Sequence, residues 1–213
     1  MTIQAWVEEK LSKSEIDTES NGDNGILTIC EGRARLIVVA EPGPSPLGFD
    51  ELDAILDTYP TCEAIVLIRR FPDNGVFEAA RARGVLLDTF GKVLKALKLQ
   101  TPLHEFQDND ESYLRSRLIR HGKVSDIVRI GLAAWRIERL GLRDLIVITH
   151  DRYEFPVDEL YERLDAHPNL EPDAFIITNP NTNGLSTRVT AAAMETGVEI
   201  HLLKAIFTRL NED

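Results

Sequence analysis

Short apolar runs alternate with longer amphipathic stretches along the chain, the pattern left by strands and helices following one another. Ile3, Trp6, Val7 and Leu11 fall at helical spacing and predict a first helix over 2–11. The polar, acidic stretch 12–24 predicts a loop. Two apolar runs over 26–30 and 35–40, joined by Glu31-Gly32, read as a strand hairpin, and Pro42-Gly43-Pro44 stops its second strand. The pattern then predicts a helix over 49–58, a strand over 64–68, a helix over 75–83, a strand over 85–87 and a helix over 90–99. Residues 100–112, with Pro102, Asp108, Asn109, Asp110 and Glu111, read as a linker. Beyond them, 111–121 and 125–140 both show helical spacing, with Ser125 as a candidate N-cap and Gly141 as a candidate stop. Ile127, Ile130, Leu132, Ala133, Trp135, Ile137 and Leu140 leave the second of these helices little polar surface. It is expected to pack between the halves or against another subunit. A strand over 145–149, helix over 157–166, strand over 174–178, helix over 185–196, strand over 198–202 and a terminal helix complete the pattern.

The back half echoes the front. Leu36-Ile37-Val38-Val39 returns as Leu145-Ile146-Val147-Ile148, and Asp50-Glu51-Leu52 as Asp158-Glu159-Leu160. Ala64-Ile65-Val66-Leu67 returns as Ala174-Phe175-Ile176-Ile177, and Gly84-Val85 as Gly197-Val198. The offset stays near ~110 residues throughout. The fold class expected is α/β, with two tandem three-layer units over 1–104 and 105–213. The first should carry a mixed sheet, because of its hairpin. The second should be largely parallel, with a helical extension at its start.

Composition narrows the function classes. A chain of 213 residues with 43% hydrophobic and 28% charged residues can bury a core in each half. No apolar run approaches the ~18–20 residues that span a bilayer, and no secretory signal pattern opens the chain, so a cytoplasmic protein without membrane contact is expected. Cys30 and Cys62 sit in apolar runs and read as free buried thiols. The net charge of −11 disfavours non-specific nucleic-acid binding, which draws its affinity from Lys and Arg. Arg115, Arg117, Arg120, His121 and Lys123 form a local basic stretch that reads as a solvated helix face.

Ligands of such sheets bind beyond the carboxyl ends of the strands. Those ends carry Glu41, Arg69, Arg70, Asp73 and Asn74 in the first half. In the second they carry Thr149, His150 and Asp151, then Asn179, Asn181, Thr182, Asn183 and Ser186. The stretch 178–186 runs into a helix start, where free N–H groups and the helix dipole favour an anion, with His150 and Asp151 on the neighbouring strand end. The same Asn, Thr and Ser residues also serve as ordinary turn and cap formers. Glu41 beside Arg69 or Arg70 reads as a strand-end ion pair. No Cys/His cluster has metal-ligand spacing, and no glycine-rich phosphate loop or Gly-x-Ser-x-Gly occurs.

The order helix, hairpin, helix, strand, helix, strand, helix over about residues 1–99, with Ala64–Ile68 leading through Ala79, Ala80 and Arg83 into Gly84-Val85-Leu86-Leu87-Asp88, resembles the restriction-endonuclease-like superfamily, in particular its Mrr-type branch. The resemblance implies an Asp ahead of the hairpin's second strand and an acid-x-Lys on that strand, with the acids holding a divalent metal that activates water. Asp23 matches the first position. The strand ends Val38-Val39-Ala40-Glu41-Pro42-Gly43, so Gly43 stands where the Lys belongs if Glu41 is the acid, and Val39 replaces the acid if Glu41 stands for the Lys. No Lys occurs between Lys13 and Lys92.

Three functions are consistent with these features. The first is a catalytically inactive, nuclease-like binding or assembly module without cofactor, which associates with itself or a protein partner. The second is a divergent nuclease that uses Asp23 and Glu41 with Mg²⁺. The third is a sensor of a small anionic ligand or nucleotide at the 179–186 loop and His150.

Overall fold

The structure, a computed structural model, describes residues 2–99, 101–167, 169–182 and 184–213. The chain divides into two compact units, Met1–Phe106 and Gln107–Asp213.

In the first unit, α1 (Ile3–Ser12) leads into β1 (Asp17–Asn21), β2 (Gly25–Cys30) and β3 (Arg33–Val39). Then follow α2 (Phe49–Thr58), β4 (Cys62–Leu67), α3 (Val76–Ala82), β5 (Leu86–Thr89), α4 (Phe90–Leu97) and a 3-10 turn, Leu103–Glu105. The sheet runs β1-β2-β3-β4-β5, antiparallel across the first three strands and parallel across the last three. Ile37, Val39, Ala64, Val66 and Leu86 face α1 and α4, where Val7, Leu11, Val93 and Leu97 complete the core. The alternate residues Val38, Ile65, Leu67 and Leu87 are also buried, which gives the continuous apolar strands of a sheet covered on both faces.

The expected loop over 12–24 is corrected to the edge strand β1. Asp-Thr-Glu-Ser-Asn carries no apolar residue and leaves no hydrophobic period, and its ladder to β2 holds it in place. The turn between them is tight: a Cβ on Gly25 would lie 2.2 Å from the Asn21 carbonyl oxygen, so only glycine fits.

The second unit comprises α5 (Asn109–Leu118), β6 (Val124–Arg129), β7 (Ala134–Arg139), β8 (Leu145–His150), α6 (Val157–Asp165), β9 (Ala174–Ile177), α7 (Thr187–Thr196), β10 (Glu199–Leu202) and α8 (Ile206–Arg209). Its sheet runs β10-β9-β8-β7-β6, with β6-β7-β8 antiparallel and β8-β9-β10 parallel. The expected helix over 125–140 is therefore a hairpin. Ser125 lies within β6 rather than at a helix cap, and Gly141, at φ 73°, turns the chain after β7. The sheet is mixed rather than largely parallel, and the helical extension shrinks to α5. The expected linker over 100–112 contains the 3-10 turn and the start of α5. Both units thus follow one order: helix, three antiparallel strands, helix, strand, helix, strand, helix.

Each unit ties its last helix to its hairpin with a buried arginine. Arg35, 2 % exposed, donates to the carbonyls of Ala96, Leu99 and Thr101 at 3.4, 2.8 and 3.1 Å, in the last turn of α4 and just beyond it. Arg139 donates to the carbonyls of Arg209, Leu210 and Glu212 at 3.3, 3.3 and 2.5 Å, at the end of α8 and just beyond it. A cation suits the negative end of a helix, where the carbonyls outnumber their in-helix donors. Arg35→Met should cost the first unit about 2–3 kcal/mol, the scale of charge-assisted bonds lost to stranded acceptors. Denaturant titration of Trp6 fluorescence in a Trp135→Phe background measures it, and a shift below about 0.5 kcal/mol would refute the tie.

Among the described residues no helix is long and apolar enough to cross a membrane. Cys30 and Cys62 are both free, Cys30 half-buried and Cys62 buried. Burial pushes the Cys62 thiol up to about 12, which makes it an inert thiol.

Candidate functional site

At the strand ends of the first unit, Asp23 and Glu41 come to the same end of the sheet. Asp23 sits in the β1–β2 turn, and its neighbour Asn24 accepts a hydrogen bond from Val39 N, at the end of β3, at 2.9 Å. Both carboxylates are exposed. Arg69, two residues past β4, is exposed at φ 51°, a left-handed conformation that costs a non-glycine residue about 1 kcal/mol or more.

The expected ion pair between Glu41 and Arg70 is corrected. The Arg70 guanidinium reaches only the main-chain carbonyl of Glu41, at 2.9 Å, and takes the carboxylate of Glu51 instead, at 2.6 and 2.5 Å. It also donates to the carbonyls of Ser45 and Pro46. This side chain ties the loop at Glu41, Ser45 and Pro46, and main-chain bonds of Leu47 to Phe71 and Asp73 hold its far end. Glu51 lies in the first turn of α2, where the helix dipole favours an acid.

The second unit places an acid at the matching point of its own repeat. Glu159, in the first turn of α6, meets Arg163 Nε at 2.8 Å, His150 Nδ1 at 3.5 Å and Arg152 Nη1 at 3.8 Å. Burial opposes its charge, yet Arg163, His150 and Arg152 together hold its carboxyl below the ordinary glutamate value. In the sequence Glu159 stands out only as part of a repeated triplet. Its i,i+4 spacing to Arg163 is the signal that could have found it.

His150 ends β8 with its side chain fully buried. Its Nε2 lies 2.8 Å from the Glu154 carbonyl oxygen, which only accepts, so Nε2 carries the proton. The Phe155 ring covers the imidazole at 4.7 Å between centroids. Burial lowers the His150 pKa, against the opposing pull of the Glu154 carbonyl, Glu159 and Asp151. The ring is therefore neutral near pH 7, and its approach to Glu159 is not an ion pair there.

The polar loop residues bind one another. Asn179 Nδ2 donates to the Asp151 carbonyl at 3.0 Å, and the Asn179 Oδ1 accepts from Asn181 N at 2.9 Å. Thr149 Oγ1 accepts from Trp135 Nε1 and donates to the Ala133 carbonyl, both at 3.2 Å. Ser186 caps α7 by accepting from Val189 N at 3.3 Å. The Asp151 side chain is exposed, and Asn183 lies outside the described residues. The structure thus gathers Thr149, His150, Asp151 and Asn179 at one strand end, with Asn181 joined through Asn179. It also brings Asp23 to the sheet end where Glu41 and the Arg69–Arg70 corner lie.

Among the described residues no group of three or more His, Cys, Asp or Glu is placed to hold a metal ion. No family model matches this chain, and neither a curated protein nor a solved structure matches it.

Proposed function

We propose that the chain is a binding and assembly module on a restriction-endonuclease-like scaffold, without nucleolytic activity of its own. The carrying observation is the chemistry of the two equivalent strand ends. β3 runs through buried Val38, Val39 and Ala40 into exposed Glu41, with no lysine in the segment between Lys13 and Lys92. β8 ends at His150, sealed beneath Phe155 and bonded to a main-chain carbonyl. Arg70 is engaged by Glu51, which ties down its loop, and Arg163 by Glu159 within α6. The recurrence of the full order of elements in both units supports the scaffold, and a net charge of −11 supports a partner other than nucleic acid. Incubated with single- and double-stranded DNA and RNA in Mg²⁺ or Mn²⁺, the chain should leave all four intact. Cleavage that disappears in Glu41→Ala would overturn this reading.

One observation favours a second reading, a divergent metal-dependent nuclease. Asp23 and Glu41 share a sheet end, and the strained, exposed Arg69 stands at the end of the adjoining strand, where a cation could replace the missing lysine. The same cleavage assay with Arg69→Ala decides it. A sensor of anions at the 179–186 loop has less support, because Asn179 and Ser186 spend their side chains on the loop and helix themselves.

A further inference from the structure

The second unit carries a titratable ring where the first carries a methyl group. Ile37 pairs with Ala64 in the first sheet and Val147 with Ala174 in the second, which sets His150 at the position of Ala40. Ala40 is buried, and the loop that follows it is tied to α2 by Arg70, whose charge does not change with pH. Counting on from Ala64 and Ala174, Pro180 stands in the second unit where Arg70 stands in the first. The loop over 151–156 therefore lacks that tie and closes on His150 instead. Its Glu154 carbonyl accepts from His150 Nε2 at 2.8 Å, and Phe155 lies over the ring. Phe155 is the one buried residue of the loop, seated in an apolar cluster with Phe175, Ile177, Val189 and Ala192. Asn179 Nδ2 holds the loop's near end through the Asp151 carbonyl at 3.0 Å.

With the loop closed, a second proton on the ring has a poor place to go. Nδ1 is buried and makes no hydrogen bond. It lies 3.5 Å from Glu159 Oε1, an oxygen that already accepts from Arg163 Nε at 2.8 Å. Glu159 and Arg163 on α6 and Asp151 on the loop are the charged groups that act on the ring, and exposed Arg152 reaches Glu159 at 3.8 Å. From β9 and α7 the same cluster receives apolar side chains. A proton at Nδ1 would therefore place a cation out of water, near the Arg163 guanidinium, with a share of one carboxylate.

We propose that the loop over 151–156 is an acid-opened lid over His150 and Glu159. Well above pH 6.5 the ring is neutral with the lid open or shut, and the lid stays shut. Burial holds the covered ring below the ordinary histidine value of 6.5, so in weak acid a ring released into water takes a proton that the covered ring refuses. Proton uptake thus draws the lid open. Opening lifts Phe155 from the imidazole and uncovers His150 beside Glu159 and Arg163, at the carboxyl end of β8 where ligands of such sheets bind. The device belongs to the second unit alone and stands whether or not the chain cleaves nucleic acid.

A glutamate-specific endoprotease active in weak acid reads the open population in the full chain. Its cutting after Glu154, divided at each pH by its cutting of an unfolded peptide spanning 149–157, should rise about tenfold between pH 7.5 and 5.5. Cutting after Glu195, inside α7, should show no such rise. His150→Gln keeps a donor for the Glu154 carbonyl, cannot titrate, and should flatten the profile. In parallel, the Nε2–H proton resonance of His150, shielded from water under the lid, should broaden and vanish as the pH falls. A flat profile in the parent chain overturns the proposal. So does a rise shared by Glu195, which reports unfolding of the unit, or a rise that His150→Gln retains. A sharp Nε2–H resonance at pH 5.5 overturns it without any variant.

Discussion

Glu111→Gln is expected to destabilise the second unit by about 3–5 kcal/mol, a large share of the ~5–15 kcal/mol that holds a domain of this size. Glu111 opens α5, where its main-chain N–H donates to the capping carboxylate of Asp108 at 2.8 Å. Its own carboxylate lies 3.4 Å from the Arg129 guanidinium, with the two side chains only 4 % and 2 % exposed. Arg129 in turn donates to the carbonyls of Gly131 and Leu132 in the β6–β7 turn and lies over the Trp135 ring. Removing the carboxylate's charge leaves a buried cation with diminished compensation, and that penalty exceeds what the intact pair contributes. Urea titration followed by Trp135 fluorescence, in a Trp6→Phe background, isolates the second unit. The double variant Glu111→Gln with Arg129→Met should recover much of the loss. A single-variant cost below about 1 kcal/mol would show that water reaches Arg129.

Acid should selectively weaken the same unit. Burial, with Arg163 nearby, pushes His167 down to about 4 from the ordinary histidine value of 6.5, and burial lowers His150 in the same direction. Well above pH 6.5 both rings are neutral whether the chain is folded or not, and stability is at its full value. As pH falls below 6.5 the unfolded chain takes up protons that the folded unit refuses, so stability is lost progressively. The His167 contribution levels off near pH 4 after a loss of about 3 kcal/mol. Glu159 and Glu199, both held below the ordinary glutamate value, extend the loss below pH 4.5. The first unit holds a single histidine, His104, which is substantially exposed. Urea midpoints of the Trp135 transition should therefore fall between pH 7 and 4.5, and His167→Gln should flatten most of that slope. A midpoint constant across the range would remove histidine burial as its cause.

The inner strands are legible in the sequence because their chemistry is simple. β3, β4, β8 and β9 are buried on both faces, so each reads as an unbroken apolar run, and the recurrence of these runs at a fixed offset reveals two units. The hairpin β6–β7 is not legible, for a specific reason. Its inward positions include Arg129 and Arg139, both buried, which erase the apolar–polar alternation that marks a half-buried strand. With those two positions read as polar, Ile127, Ile130, Trp135 and Ile137 fit a helical spacing instead. β1 is invisible because an edge strand exposed on both faces needs no apolar residue at all. At the strand ends the pattern names the right residues but misassigns one partner. Glu41 and Arg70 are close in the fold, yet the carboxylate that Arg70 takes comes from α2, and no spacing in the sequence announces that approach.

The arginine ties have a consequence for the birth of the protein. Arg139 meets the carbonyls it serves only when residues some seventy positions downstream have been made, and Arg35 waits for a stretch more than sixty positions away. Neither hairpin can settle its guanidinium while the ribosome still holds the far end of its unit. Each unit should therefore reach its native form late and in one step as its final helix emerges, with the earlier half guarded until then only by solvent or a chaperone.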